Sequence, residues 1–170
     1  QQLSTFHKPY TALIKNQITP LLFSNTLAGS TVSLVVKSNE LHKALNVMHS
    51  EIFGVAKKIN LAIFGHGLVG GALINQILGS TKEIQKRKGI SLNIIAIANS
   101  TKIVLDKHGI EENWKTRIEN DGRSYSVTDV IEYAKKHHLA NLIAIDNTAS
   151  KVFTNHYEQL VCNGFDLVSS

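Results

Sequence analysis

Apolar and polar residues follow two different rhythms along this chain, and the change falls near Val55 to Asn60. Before it, FHKPYTALIKN has a weak helical spacing. ITPLLFSN and STVSLVVKS are rich in β-branched and aliphatic residues and predict strands, with the turn-rich SNTLAGS between them. SNELHKALNVMHSEIFG then places Leu41, Leu45, Met48 and Ile52 at i, i+4, i+7 and i+11. That spacing predicts an amphipathic helix, capped at Ser38 or Asn39 and stopped at Gly54. The order α-β-β-α makes a small α+β unit over residues 1–57. Two strands are marginal as a sheet, which points to a missing first strand.

From Lys58 onward strands and helices alternate. INLAIF is a continuous apolar run, as in a strand buried on both faces. LVGGALINQILG is helical, SLNIIAIAN is a second buried strand, and STKIVLDKHG reads as a short helix or turn. SVTDVIEYAKKHHL predicts a helix capped near Ser126 or Thr128, and ANLIAIDN a third strand. KVFTNHYEQLVCNG predicts a helix ending at Gly164, and FDLVSS a last strand. Strands alternating with helices imply parallel βαβ units with right-handed crossovers. The expectation for residues 58–170 is an α/β fold, a parallel sheet with helices on both faces.

The stretch IFGHGLVGGALI, Ile63 to Ile74, holds four of the chain's 11 glycines. Glycine loses more conformational freedom on folding than any other residue, so the cluster needs a reason. Gly65-x-Gly67-x-x-Gly70 follows a buried strand and opens a helix, the context in which this pattern marks a dinucleotide site. The first glycine allows a tight turn, the second lets a pyrophosphate approach the backbone, and the third lets helix and strand pack closely. Gly71 is expected to widen the same helix–sheet contact. The helix N-terminus then offers free N–H groups and a positive dipole end to the phosphates.

The second strand refines the ligand. A site that prefers NAD usually ends this strand with Asp or Glu, which binds the ribose 2′-hydroxyl. Here it ends in Asn99, Ser100, Thr101 and Lys102. Hydroxyls and a cation suit a 2′-phosphate, so NADP(H) is the expected cofactor and NAD(H) the lesser one.

Composition adds boundaries. The chain has 170 residues, 43% hydrophobic and 18% charged, with net charge +5. That is too apolar for disorder, and no apolar run approaches the ~20 residues of a membrane helix. The basic clusters Lys57-Lys58, Lys82 to Lys88 and Lys135 to His138 carry no interleaved aromatics, so nucleic acid is not an expected partner. His137 and His138 adjoin and point apart on a helix, which argues against a shared metal. The single cysteine, Cys162, excludes an internal disulfide and fits a cytoplasmic setting; its helical context predicts a packed, inert thiol. QQLSTFHKPY has neither an initiator Met nor a signal-peptide pattern and reads as the start of a fragment.

With these pieces in order, the chain resembles a stretch of the bifunctional aspartokinase–homoserine dehydrogenases. GHGLVGGAL, the IANS after the second strand, DNTAS (Asp146 to Ser150) and YEQLVCNGFDLVSS together resemble that family's dehydrogenase nucleotide domain, over Ile59 to Ser170. Thr5 to Phe53 resembles the later part of an ACT regulatory subdomain. The resemblance implies a Rossmann-type domain preceded by a partial ACT-like unit. It implies NAD(P)-dependent interconversion of aspartate semialdehyde and homoserine, on the route to threonine and methionine. It puts Gly65, Gly67, Leu68, Val69 and Gly70 at the pyrophosphate, and Asn99, Ser100 and Lys102 at the adenosine ribose. It puts Asn147, Thr148 and Ala149 near the nicotinamide, where the family more often has Cys-Thr-Ser. His66 occupies a variable position and reads as incidental. Asp146 ends a strand near the cofactor with no evident partner, so no catalytic residue is assigned. The family's substrate domain would follow Ser170 and its kinase domain would precede Gln1, so the fragment alone is expected to be inactive. Homo-oligomerisation stays open. The rival readings are a non-catalytic nucleotide-sensing module and another Rossmann oxidoreductase.

Overall fold

The computed structural model describes residues 3–25, 31–53 and 57–170. Most of the SNTLAGS turn, the predicted helix stop at Gly54 and the Val55 end of the boundary lie outside the described residues. The chain divides into two compact units, 1–57 and 58–170.

The first unit runs α1 (Leu3–Lys15), β1 (Leu22–Asn25), β2 (Val32–Val35), a 3₁₀ turn (Ser38–Glu40) and α2 (Leu41–Phe53). The strands are antiparallel, with Leu22 opposite Val35 and Asn25 opposite Val32. Ser38 and Asn39 lie inside the 3₁₀ turn, whose N-cap is Lys37, so neither caps a helix as the sequence predicted. The predicted apolar stripe of α2 is also not its buried face. Leu41, Leu45 and Ile52 are 45%, 56% and 57% exposed, while Ala44 and Val47 are buried. At about 100° per residue the buried face is rotated by roughly a quarter-turn from the stripe. The cause is helix packing: α1 meets α2, and Ala12 and Leu13 are buried on the α1 side. Small alanines let the two backbones approach, and that contact decides which face is covered. The Lys43 ammonium donates to the Asn16 carbonyl at 2.9 Å and ties the end of α1 to α2.

The second unit is built on β3 (Lys57–Phe64), α3 (Leu68–Lys88), β4 (Ile90–Ala98), β5 (Ile103–Leu105), α4 (Trp114–Asp121), α5 (Val127–Lys136), β6 (Leu142–Asp146), a 3₁₀ segment (Lys151–His156), α6 (Tyr157–Cys162) and β7 (Phe165–Ser169). The sheet order is β5-β4-β3-β6-β7. β3 and β6 are parallel, as are β6 and β7. β3 and β4 end on the same edge: the Gly65 N–H, just past β3, donates to the Ala98 carbonyl at the end of β4 at 2.8 Å. The central strand is covered on both faces, and period-2 alternation sorts its side chains. Leu61 and Ile63 join a cluster with Ile74, Ile77, Trp114 and Ile118 of α3 and α4. Ala62 and Phe64 join another with Val130, Ile131 and Leu160 of α5 and α6.

Four local expectations change. STKIVLDKHG carries β5, which pairs antiparallel with β4, so the sheet is mixed at this edge. The reversal is a tight turn, with Asn99 N–H donating to Lys102 O at 2.9 Å. α3 runs past Gly79 to Lys88. Gly89 ends it in the left-handed region (φ +63), and Lys86, Arg87 and Lys88 complement the negative end of the helix dipole. α4 has no counterpart in the predicted elements, because Trp114 and Ile118 are its only buried positions. Cys162, expected to be packed, closes α6 on its exposed side.

Candidate functional site: a cleft at the carboxyl edge of the sheet

From β3 the chain moves outward to β4 and β5, then returns to β6 on the other side of β3. That reversal is the topological switch point where open α/β sheets bind ligands. The glycine loop sits there, and its three glycines have separable causes. Gly65 has φ +86, and a Cβ on it would lie 2.6 Å from the Asn147 carbonyl oxygen. A Cβ on Gly70 would run into the Gly65 carbonyl. Both are dictated by the packing of α3 and the β6 loop on β3. Gly67 is different. Its backbone is extended (φ −63, ψ −153), and a Cβ there would meet nothing within 4 Å. The fold makes no demand for glycine at this position. Gly71 is expected to open the helix–sheet contact, but a Cβ on it would lie 3.4 Å from the His66 carbonyl oxygen and 3.7 Å from the Trp114 ring, where a methyl group fits.

Two helix N-termini look into this cleft, and they are in different states. α5 is closed by its own residues: the Asp129 carboxylate accepts from the Ser126 N–H at 2.6 Å and the Ser126 hydroxyl at 2.8 Å. Those bonds, the N–H first, hold the Asp129 carboxyl below its ordinary range. α3 begins at Gly67 with no side-chain cap and no acidic residue in its first turn. Its free N–H groups and positive dipole end are open to an anion.

The cleft has a volume of about 1300 Å³. Among the described residues that line it there is no Lys, Arg, Asp or Glu; His66, His156 and Tyr125 are its titratable side chains. Among the described residues, four buried side-chain polar atoms lack a hydrogen-bond partner. Three of them, His66 Nε2, Asn147 Nδ2 and Thr148 Oγ1, belong to cleft-lining residues. Buried polar groups are normally paired, so this concentration fits a wall completed by a polar ligand.

The site residues expected from sequence fall as follows. Gly65, Gly67, Leu68 and Val69 line the cleft, with Leu68 94% exposed at its mouth. Gly70 lies behind them, buried in the α3–β3 contact. Asn99 and Ser100 line the far wall. The Asn99 side chain is committed to its own turn, because Oδ1 accepts from the N–H groups of Thr101 (2.8 Å) and Lys102 (2.7 Å). Ser100 is the freer group for a ribose. Lys102 is not among the lining residues; its ammonium donates to the Glu119 carbonyl at 3.2 Å. Asn147, Thr148 and Ala149 line the β6 side. His66 lines the cleft too, with its ring edge-to-face on Trp114 at 5.4 Å.

Asp146 does have partners. Its Oδ1 accepts from the Thr148 N–H at 2.8 Å and its Oδ2 from the Tyr157 hydroxyl at 2.7 Å. The bond to Asp146 pushes the Tyr157 phenol above its ordinary value. Sequence reasoning missed Tyr125, Ser126, Val152, Phe153 and His156 as lining residues. Tyr125 braces the far wall, its hydroxyl donating to the Asn99 carbonyl at 3.0 Å, and burial raises its phenol. A signal for Ser126 was present: in parallel βα units helix N-termini share the edge of the strand C-termini, so the cap that starts α5 marks the same edge.

This arrangement is that of a Rossmann-type domain for a nicotinamide dinucleotide. The chain belongs to the family of the homoserine dehydrogenase NAD binding domain, whose pattern it matches over residues 65–170. It is 30% identical over 164 residues to a bifunctional aspartokinase/homoserine dehydrogenase of Buchnera aphidicola, covering 96% of this chain and 20% of that protein. A bifunctional aspartokinase/homoserine dehydrogenase of Haemophilus influenzae is 28% identical over 161 residues, 94% of this chain and 20% of that protein. The chain thus spans about a fifth of the length of the curated relatives it matches. The crystal structure of homoserine dehydrogenase from Thermoplasma acidophilum, 17% identical, shares the fold with a TM-score of 0.51 over 66% of this chain and 35% of its own. Among the described residues, no helix is long and apolar enough to cross a membrane.

Proposed function

We propose that this chain is the NAD(P)-binding portion of a homoserine dehydrogenase that interconverts aspartate semialdehyde and homoserine, within a bifunctional aspartokinase–homoserine dehydrogenase. The observation that carries the reading is Gly67: an open position at an uncapped helix N-terminus, beside two glycines that packing does require. The residues fit the group. The loop from Gly65 to Val69 receives the pyrophosphate on the first N–H groups of α3. Ser100 meets the adenosine ribose, and Asn147, Thr148 and Ala149 face the nicotinamide half with two of the unpaired polar atoms. Bound there, the dinucleotide supplies hydride exchange. The protein's part is to fix one partner of that exchange, since positioning can supply ~7–11 kcal/mol of barrier reduction. The substrate is held by parts of the protein outside residues 1–170, so this chain binds cofactor and does not oxidise homoserine alone. Residues 1–57 are the end of an ACT-like regulatory segment, a reading supported by the β1-β2-α2 order.

NADP(H) is the preferred cofactor. The support is the absence of a carboxylate at the end of β4, with Ser100 and Lys102 in its place. Lys102, an exposed side chain, must leave the Glu119 carbonyl to reach a 2′-phosphate. Titration calorimetry with NADPH and NADH tests this. NADPH binds more tightly, and Lys102→Ala narrows the gap. The gap also shrinks with added salt, because exposed charges are screened. Equal losses for both cofactors in Lys102→Ala would overturn the preference.

A further inference from the structure

The Asp146 carboxylate is unusual in its setting. It is 6% exposed, at the end of β6 and level with Phe64 in the register of β3 and β6. Both oxygens accept hydrogen bonds, as an ionised carboxylate does. Both donors, a backbone N–H and a phenol, are neutral. Among the described residues, the ion pairs are Arg87–Glu83, Arg117–Asp106 and Lys135–Glu132, and none reaches Asp146. A buried carboxylate without a cation is costly to keep, so its charge has an effect on what lies beside it. Beside it is the cleft wall. Asn147 follows directly, its N–H fixed to the Phe64 carbonyl at 2.8 Å, and the side chains of Asn147 and Thr148 carry unpaired polar atoms.

Which half of a dinucleotide meets this wall follows from the topology and rests on the proposed cofactor reading. In a doubly wound sheet the adenosine ribose lies at the end of the second strand, here β4 at Ser100, and the pyrophosphate at the α3 N-terminus. The other half then crosses the switch point to β6. The nicotinamide ring carries a positive charge when oxidised and none when reduced. A fixed anion behind that wall acts on one redox form only, through a protein interior that screens it weakly.

We propose that Asp146 is a buried anion behind the nicotinamide end of the cleft that favours oxidised over reduced dinucleotide, and that Tyr157 is the positioning residue that holds it there. Tyr157, whose ring also packs edge-to-face on Phe153, joins the start of α6 to the end of β6 through its bond to Asp146. The bond to Asp146 raises the phenol, which favours its protonated, donating form.

The test titrates the chain with ADP-ribose, NADP⁺ and NADPH. The wild-type chain binds NADP⁺ at least as tightly as NADPH. Asp146→Asn keeps the shape, and the Tyr157 hydroxyl can turn to accept from the new amide. It weakens NADP⁺ about tenfold relative to NADPH, some 1.4 kcal/mol, and leaves ADP-ribose unchanged. Tyr157→Phe lowers the NADP⁺-to-NADPH preference in the same direction and spares ADP-ribose, which a general loss of structure would not do. NADPH tenfold tighter than NADP⁺ on the wild-type chain overturns the proposal, whatever the variants do. So does a ratio unmoved in Asp146→Asn. If the wild-type chain binds none of the three ligands, the cofactor reading itself has failed.

Discussion

Replacing Gly67 with valine separates what the fold needs from what the ligand needs. The backbone at Gly67 is extended and a Cβ there meets nothing within 4 Å, so the valine side chain branches from open space. The stability change comes from the N-cap preference alone and stays within about 1 kcal/mol. The two methyl groups stand at the start of α3, where the helix presents N–H groups that have no partner inside it. A phosphate pushed off one of them loses a charge-assisted hydrogen bond of about 1.5–3 kcal/mol. At 1.4 kcal/mol per decade, affinity falls by between ten- and a hundredfold or slightly more. Calorimetric titration with NADPH gives the affinity, and thermal unfolding of the same sample gives the stability. A variant with unchanged melting and unchanged affinity places the anion elsewhere and refutes the loop assignment. A variant that loses its fold refutes the claim that packing makes no demand at Gly67.

Gly70→Ala should behave in the opposite way: its methyl meets a backbone carbonyl that cannot swing aside, so thermal unfolding should show a loss near the top of the ~1–3 kcal/mol range for overpacking. Ser126→Ala removes one half of the mutual cap of α5 and should cost about 0.5–1 kcal/mol by urea unfolding, with helical content otherwise kept. Burial works to raise the Asp106 carboxyl, but the His108 N–H at 2.9 Å and the Arg117 guanidinium at 3.0 Å outweigh it and hold the group below its ordinary 3.8. A depressed folded-state value stabilises above the ordinary range and is lost as pH falls through it, so Asp106→Asn should be less stable than the parent at pH 7 and equal to it in strong acid. Equal urea midpoints at pH 7 would remove that ion pair from the account of stability.

The sequence by itself determined the elements whose burial is uniform. INLAIF, SLNIIAIAN and ANLIAIDN are strands because a central parallel strand is covered on both faces and reads as an unbroken apolar run. It also determined the loop as far as its causes are local: Gly65 turns with φ +86 and Gly70 is forced by the Gly65 carbonyl five residues before it, whereas the Asn147 backbone that also crowds Gly65 comes from the far side of the sheet. What sits at the carboxyl edge of the sheet was legible only as far as motifs marked it. Tyr125, Phe153 and His156 reach the cleft because α5 and the segment before α6 start at the same edge as α3, a consequence of parallel winding rather than of any local pattern. The reversal into β5 was hidden, since Asn99 makes the turn through its own side chain and the strand that follows is very short. The buried face of α2 was hidden for a related reason. A helix with apolar residues on more than half its circumference offers two faces, and the neighbour it packs against, α1, chooses between them. The partner of Asp146 is the clearest case: a carboxylate and a phenol 11 residues apart meet only because the 3₁₀ segment and α6 fold back over the end of β6. Local sequence fixes conformations whose causes lie within a turn or a strand. Pairing between elements is set by the geometry of the sheet, which no window of the sequence contains.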